Sequence, residues 1–325
     1  MGATSPPLTI WAVSDGRAGI EAQALGLAEA VARLRPAEIS VKRIAWRWGL
    51  GRLPWRLIPP AALAERLPDT LPDIWIAAGR ATLPLSTRLK GRTFVVQTQD
   101  PRAPLERFNL VVPPEHDRLA GANVFPILGA PNRLTPKRLA DELAAFPDLS
   151  TLTAPRVAVI VGGKSKAHDL PRAHAAALAD RIAAAVRAAG GSLMLSFTRR
   201  TPPAARAAMS ARLGDLPGVI WDERPPNPYF AYLAAADVVL VTEDSTNLAT
   251  DAAATGKPVY VLPMPGHSEK LTRFHADLRA RGLARPFEDR LESWTSAPLA
   301  ETDRAAGELI RRYDAAQAQR GRNSA

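Results

Sequence analysis

The segment from Val238 to Pro263, VVLVTEDSTNLATDAAATGKPVYVLP, decides the fold. A continuous apolar run leads into a short polar turn, an alanine-rich stretch and a second apolar run. Uninterrupted apolar strands that alternate with helices are typical of parallel sheets covered by helices on both faces. The same alternation recurs in the segments that begin at Leu8, Asp73 and Arg156. The sequence therefore predicts a doubly wound α/β class.

A change of pattern at residues 145–156 predicts a division into two domains. The segment AAFPDLSTLTAPR ends a helical pattern with Pro, Asp, Ser and Thr, and a new strand begins at Val157. A chain of 325 residues is long enough for two domains of ordinary size. We predict an N-terminal α/β domain over residues 1–150, a second α/β domain over 151–295, and a closing helix with a basic tail over 296–325.

The composition excludes several classes of protein. There is no cysteine, so disulfides, thiol catalysis and Cys-ligated zinc are absent, and the five histidines form no H-x-x-x-H pair. No apolar run reaches 18 residues, and the N-terminus lacks a basic segment followed by an apolar core. These features predict a cytoplasmic location, with peripheral contact at the inner face of a membrane at most.

The formal net charge of +10 favours anionic partners. Few, scattered aromatic residues disfavour nucleic acid. The segment KRIAWRWGLGRLPWRLIPP, residues 42–60, mixes tryptophans with basic residues, a combination that suits an anionic membrane surface. The alternative is a connector packed on the first domain through its tryptophans, with its arginines in solvent. Both interpretations stay open at this point.

Three polar segments follow strands of the second domain, at the sheet edge where such folds bind ligands. The first has two glycines, whose amides an anion could approach closely. The second lies at a helix start suited to a diphosphate, and Asp251, one turn later, could accept hydrogen bonds from a ribose. The third is a loop suited to sugar hydroxyls. The candidate donor-binding residues are Gly162, Gly163, Lys164, Ser165, Glu243, Ser245, Thr246, Asn247, Asp251 and His267.

Each segment also has a purely structural interpretation. A Gly-Gly turn commonly ends a strand, and Ser, Thr and Asn are good helix N-caps. Convergence of the three on one edge nevertheless favours a nucleoside-diphosphate site. Because the sequence has no D-x-D motif, we expect helix dipoles and Lys or Arg, rather than a metal, to neutralise the diphosphate. We expect no cofactor besides a sugar nucleotide as substrate.

The second half resembles the nucleotide-sugar half of GT-B glycosyltransferases, in particular the N-acetylglucosaminyltransferase that forms lipid II. The resemblance lies in VGGKSKA and in NPYFAYLAAADVVLVTEDSTNLATDAAATGKPVYVLPMPGH. The whole chain resembles the mitochondrial fission family of the elongated-mitochondria type, whose bacterial members are classed with glycosyltransferases. Its marks are SDGRAG, QTQDPR, VVPPEHD, NVFPILGAPNR and VTEDSTN.

The resemblance implies a GT-B-like fold, with two Rossmann-like domains facing a cleft. It further implies transfer of a sugar from a nucleoside-diphosphate sugar, bound by the second domain, to a lipid-linked or cell-envelope acceptor on the first. The alternative is a non-catalytic, membrane-peripheral protein that keeps the fold and recruits a partner. A Rossmann-type epimerase is disfavoured, since none of the four tyrosines begins a Tyr-x-x-x-Lys pair.

The chain departs from the resemblance at Ile20, where a histidine is expected. If the reaction inverts the anomeric centre, the base must lie elsewhere. The candidates are Asp15, Glu21 and either His116 or Asp117, with Asp15 first because it follows a strand; alternatively, Asp15 caps the next helix. The candidate acceptor or phosphate contacts are Arg17, Gln97, Asp100, Arg102 and Asp117. Asp100 and Arg102 could instead pair with each other.

Overall fold

The computed structural model describes residues 6–324, with side chains over residues 6–322. The chain forms two compact units. One contains the residues up to Arg133 together with those from Ala300 onward, and the other contains Leu134–Leu299. Both units are built on a parallel sheet with helices, as the sequence predicts. No helix within residues 6–324 is long and apolar enough to cross a membrane.

The first unit has a five-stranded parallel sheet in the order β2-β1-β3-β4-β5. Its strands are β1 (Leu8–Ser14), β2 (Ala37–Arg43), β3 (Ile74–Ala77), β4 (Phe94–Gln97) and β5 (Leu110–Val111), and its helices are α1 (Ala18–Leu34), α2 (Leu83–Ser86) and α9 (Glu301–Ser324). Ile10 in β1 lies opposite Ile39 in β2 and Ile74 in β3. The continuous apolar runs of β1, β3 and β4 are buried because strands or helices cover them on every side.

The predicted closing helix, α9, packs on the first unit. Its residues Ala305, Ala306, Leu309 and Tyr313 are buried in the same core cluster as the apolar face of α1. The Tyr313 ring meets Phe94 of β4 edge-to-face, with 5.5 Å between the ring centroids. The first unit is therefore built from two separate stretches of the chain.

The second unit has a six-stranded parallel sheet in the order β11-β10-β9-β6-β7-β8. Its strands are β6 (Arg156–Val161), β7 (Ser192–Phe197), β8 (Gly218–Ile220), β9 (Val238–Thr242), β10 (Val259–Leu262) and β11 (Arg285–Pro286), and its helices are α3 (Pro136–Ala144), α4 (Arg172–Ala188), α5 (Pro203–Leu213), α6 (Tyr229–Ala235), α7 (Thr246–Ala254) and α8 (Glu269–Ala280). The sheet order places the carboxyl ends of β6, β9 and β10 side by side.

The division between the units differs from the predicted boundaries at residues 150 and 295. Residues 134–150 lie with the second unit because α3 packs on α6, where the Arg138 guanidinium stacks 4.4 Å from the centre of the Phe230 ring. At the other end, the Leu299 amide donates to the Ala253 carbonyl of α7 at 3.2 Å. The prolines and polar residues of 145–156 mark a loop within the second unit.

In the segment over residues 46–58 of the first unit, two tryptophans pack as the connector interpretation predicts and the third does not. Trp46 donates its indole N–H to the Ala81 carbonyl at 2.9 Å, and Trp46 and Trp55 pack against a buried cluster. Trp48 instead has 81% of its surface exposed. The segment is thus anchored by two tryptophans and presents the third to solvent.

Candidate functional site

The structure brings the three predicted donor-binding segments to one edge of the second sheet. The loop after β6 is joined to the loop after β10 by a hydrogen bond from the His267 amide to the Ala167 carbonyl at 3.0 Å. Between them, the loop after β9 leads into α7. The edge therefore has the polar residues, the helix start and the lysines that the strand order predicts.

The Gly-Gly turn after β6 is crowded. A Cβ on Gly162 would lie 2.2 Å from Asp244 Oδ1, and one on Gly163 would lie 2.2 Å from the Arg200 carbonyl oxygen, so both positions require glycine. The turn's amides already have partners. Gly162 N–H donates to Thr242 Oγ1 at 2.7 Å, Gly163 N–H to Asp244 Oδ2 at 3.1 Å, and Lys164 N–H to Arg200 O at 2.9 Å. This corrects the expectation that these amides are open to a diphosphate.

Asp244 is a site residue that the sequence reasoning did not select. Its side chain is fully buried, and Oδ2 lies 2.5 Å from Nη1 of Arg200. Oδ1 has no hydrogen-bond partner among the described residues. The available signal was its place directly after a buried strand, where a carboxylate needs a partner. Asp244 holds Arg200, whose side chain is 39% exposed, at the edge of the site.

Ser245 is the N-cap residue of α7. Ser245 Oγ accepts a hydrogen bond from the Leu248 amide at 3.4 Å, as the capping interpretation predicted. Thr246 and Asn247 follow and are partly buried. The partial positive charge of this helix end adds to the cation Arg200 and to the exposed Lys164. These groups therefore lie at one edge of the sheet, and Ser165 beside them uses its hydroxyl to accept from the His168 amide at 3.0 Å.

Asp251 lies one turn into α7, as predicted, but it already has a partner. Its Oδ2 accepts a hydrogen bond from the Tyr229 hydroxyl at 2.8 Å. Burial raises the pKa of Asp251 to about 7, and the Tyr229 hydrogen bond and the Arg138 charge only partly oppose this shift. Burial beside Asp251 also raises the pKa of Tyr229 well above its usual value. Tyr229 stands in the NPYF segment, which the sequence reasoning used only for the resemblance.

Glu243 and His267 differ in their surroundings. Glu243 Oε1 accepts from the Met264 amide at 2.5 Å, and its carbonyl accepts from His275 Nε2 at 2.9 Å. Glu243 therefore ties the loop after β9 to the loop after β10 and to α8. His267 is exposed, immediately before Ser268, which caps α8. Of these two candidates, His267 has the more accessible side chain.

The first-unit candidates for a catalytic base are paired with arginines. Asp15 Oδ2 accepts from Arg17 Nε at 2.8 Å, and its Oδ1 accepts from the Arg17 amide at 3.2 Å. Glu21 accepts from Arg43 Nε at 2.7 Å and Nη2 at 3.0 Å, and these hydrogen bonds hold the pKa of Glu21 below its usual value. The residue that caps α1 is Arg17, with no side-chain hydrogen bond, so Asp15 does not cap that helix.

The remaining first-unit candidates are mostly enclosed. Gln97 is 1% exposed and His116 is 6% exposed, so neither side chain reaches a surface ligand in this conformation. Asp117 lies beside His116, with 4.0 Å from its Oδ1 to Nε2 of the imidazole. Asp100 accepts a hydrogen bond from the Arg102 amide at 2.8 Å. Their pairing was foreseen, although it runs through the backbone of Arg102.

The position expected to hold a histidine takes part in packing. Ile20 packs against the buried core that the first unit builds from β1, α1 and α9. Gly79, at the turn after β3, has φ +82°, and a Cβ there would meet Ile20 Cγ2 at 3.0 Å. A side chain at position 20 is therefore in contact with the loop after β3.

Comparison with known proteins identifies the family. The family model described as Mitochondrial fission ELM1 matches residues 18–313. The Mitochondrial fission protein ELM1 of Arabidopsis thaliana is 32% identical over 272 residues, which is 74% of this chain and 64% of that protein. The chain thus spans less than two thirds of the plant relative. An uncharacterized protein of Rickettsia prowazekii is 26% identical, over 94% of this chain and 98% of its own.

A solved structure shows the fold. The UDP-GlcNAc 2-epimerase of Methanocaldococcus jannaschii, in complex with UDP-GlcNAc and UDP, superposes with a TM-score of 0.56 at 11% identity, over 94% of this chain and 99% of that one. The missing Tyr-x-x-x-Lys pair disfavours a Rossmann-type epimerase, but it does not bear on an epimerase of this fold. The chain belongs to the Mitochondrial fission ELM1 family and has the predicted GT-B-like fold of two parallel-sheet α/β units, which it shares with this epimerase.

Proposed function

We propose that the protein is a glycosyltransferase whose second unit binds a nucleoside-diphosphate sugar and whose first unit binds the acceptor. The observation that carries the proposal is the meeting of the start of α7, Arg200 and Lys164 at one edge of the second sheet. A buried carboxylate, Asp244, fixes Arg200 there before any ligand arrives. Groups held in place in this way stabilise a developing negative charge without reorganisation.

The diphosphate would lie at the start of α7, with Arg200 and Lys164 beside it. Its negative charge would be neutralised by the helix end and the two cations, so the leaving group needs no metal. Asp251 would accept a hydrogen bond from the ribose through the carboxylate oxygen that Tyr229 does not use. His267 and the loop after β10 would face the sugar. The epimerase of the same fold binds UDP-GlcNAc and UDP, which supports a uracil nucleotide as the first ligand to test.

The acceptor would be a lipid-linked or cell-envelope molecule. Asp15 and Glu21 are each held by two hydrogen bonds from an arginine, and Asp15 remains the first candidate for the base because it follows β1, whereas His116 is buried. Arg17 pairs with Asp15 but leaves 66% of its side chain exposed. An acceptor phosphate that draws Arg17 away would free Asp15 to take a proton.

A non-catalytic recruitment protein is the second candidate. The observation in its favour is at position 20, where a core-packed isoleucine stands in place of a titratable side chain. In this alternative, the second unit keeps its fold and the output is binding of a partner at a membrane.

Calorimetric titration of the protein with UDP, GDP, ADP, CMP and their sugar conjugates, without and then with magnesium, separates the two candidates. We expect one nucleotide to bind in the micromolar range. The double variant Asp244→Asn/Arg200→Gln removes the buried charge together with its partner, and binding should be lost. The neighbouring, exposed Arg199 provides the control, since Arg199→Gln removes an adjacent arginine and leaves the Asp244–Arg200 pair intact. If the folded protein binds none of these nucleotides, the transferase proposal fails and recruitment remains.

A further inference from the structure

Three of the most exposed large apolar side chains of the first unit lie within one short segment of the chain. In the segment over residues 46–58, Trp48 is 81% exposed, Leu57 64% and Leu53 44%. The same segment is firmly attached, because Ile58 is 2% exposed and Trp46 is hydrogen-bonded to the Ala81 carbonyl. Fixed apolar groups in solvent are unfavourable, and a contiguous cluster of them marks an interaction surface.

The backbone turns the Trp48 indole outward. Trp48 has φ 53° and ψ 27°, and Gly49 follows with φ 70° and ψ 10°. This left-handed conformation suits glycine but is disfavoured for a residue with a bulky side chain. Because the Trp48 side chain is exposed, packing within the protein does little to offset the cost of this backbone conformation. Backbone outliers of this kind are frequent at sites that contact ligands.

The charged side chains within this stretch of sequence are all positive. Residues 39–64 contain Lys42, Arg43, Arg47, Arg52 and Arg56, and no carboxylate. Arg47, Arg52 and Arg56 are exposed and alternate along the chain with the three apolar side chains. Arg47 donates to the Ala64 carbonyl at 3.1 Å, and Arg56 lies over the Trp55 ring at 5.2 Å. Arg47 and Arg56 are therefore held by contacts within the first unit.

We propose that residues 47–57 dock on a membrane surface of anionic lipid. Trp48, Leu53 and Leu57 enter the boundary between head groups and acyl chains, and Arg47, Arg52 and Arg56 contact the lipid phosphates. Tryptophan is suited to this boundary, and each arginine near an anionic surface adds attraction that salt weakens. The inference goes beyond the proposed transferase function and does not depend on it, because no residue of the second unit takes part.

The test is flotation of the full chain with phosphatidylcholine vesicles, with and without phosphatidylglycerol, in the absence of nucleotide. We expect binding to the anionic vesicles only, decreasing as salt is added. The variant Leu57→Ser should weaken binding about tenfold. Leu34→Ser is the matched control, since Leu34 is 57% exposed on α1, outside the segment, and should leave binding unchanged. Each of Arg47→Gln, Arg52→Gln and Arg56→Gln should weaken binding about fivefold.

Two results would overturn the proposal. One is the absence of flotation with phosphatidylglycerol vesicles. The other is an equal loss of binding in Leu57→Ser and Leu34→Ser. A protein partner is tested by sedimentation without lipid. Self-association that Trp48→Ser abolishes, with no vesicle binding, would assign the surface to a second copy of the chain instead. All these side chains are exposed, so the variants are expected to fold.

Discussion

At the scale of single residues, Asp244 and Arg200 are the pair on which the candidate site depends. The carboxylate is fully buried, whereas the guanidinium is partly in solvent. Removing one partner of the pair therefore costs a different amount of stability from removing the other. A buried charge without its partner is strongly unfavourable, but an exposed arginine without its partner is hydrated.

We predict that Arg200→Gln lowers the free energy of unfolding more than Asp244→Asn does. The first variant strands a buried carboxylate and should cost about 3 kcal/mol. The second leaves an amide oxygen to accept from Gly163 N–H and should cost about 1 kcal/mol. Urea denaturation of both variants measures the difference. Equal losses would show that Asp244 reaches solvent in the folded protein.

Asp251 gives the protein a predicted pH dependence. Its pKa is raised from 3.8 in the unfolded chain to about 7 in the fold, so the folded state holds its proton more tightly. This contribution to stability is complete below the lower pKa and is lost as the pH rises through about 7. Asp251→Asn cannot lose a proton. We therefore expect the unfolding free energy of the wild type, relative to Asp251→Asn, to fall across that interval. Parallel pH profiles would contradict the shift.

The same residue tests the donor site. We expect Asp251→Ala to weaken binding of the nucleotide by about 1–3 kcal/mol, because a hydrogen bond to the ribose would be lost. Titration calorimetry of the folded variant measures the change. If the variant binds the nucleotide as tightly as the wild type does, Asp251 does not contact the ribose. The role of Asp251 would then be to accept the hydrogen bond from Tyr229.

At the scale of elements, the sequence predicts buried strands better than edge strands. β6, β9 and β10 have continuous apolar runs, which only strands buried on both faces require. β2, AEISVKR, was not predicted because it lies at the sheet edge, where its side chains alternate between solvent and partial burial. β11 has two residues, too few for any periodicity.

The candidate site was predicted in position but not in its hydrogen bonds. The order of strands and polar turns is enough to place the loops after β6, β9 and β10 at one edge. The sequence does not show which groups form hydrogen bonds with each other. The bond from the Gly163 amide to Asp244 and the bond from the Tyr229 hydroxyl to Asp251 were therefore missed. Both are contacts between residues far apart in the chain. Local patterns carry no information about such pairs.

The attachment of α9 to the first unit can be tested at Tyr313. This side chain is 4% exposed and packs on Phe94. Tyr313→Ala should lower the free energy of unfolding by about 3–5 kcal/mol through the cavity that it leaves. Gln319→Ala, at an exposed position of the same helix, is the control. Thermal unfolding gives the comparison, and similar melting temperatures for the two variants would show that α9 is not part of the core.

At the scale of the whole molecule, one unit is formed by a single stretch of the chain and the other by two stretches. The second unit is one unbroken stretch, and its core cluster is drawn entirely from that stretch. The first unit needs α9 to complete its core. We predict that a fragment of residues 134–299 folds, whereas a fragment of residues 1–133 does not. Circular dichroism with denaturant titration distinguishes them, and a cooperative transition in the shorter fragment would contradict the role given to α9.

The position of α9 also has a consequence during synthesis. A ribosome releases the strands of the first unit early, yet the helix that closes their core emerges only after residue 300. The second unit, although translated later, is complete before that point. Domains generally fold in the order in which they leave the ribosome, but here we expect the second unit to complete its core before the first. Until the α9 residues have been translated, we expect the nascent first unit to expose the apolar side chains that α9 covers, and a chaperone could bind there.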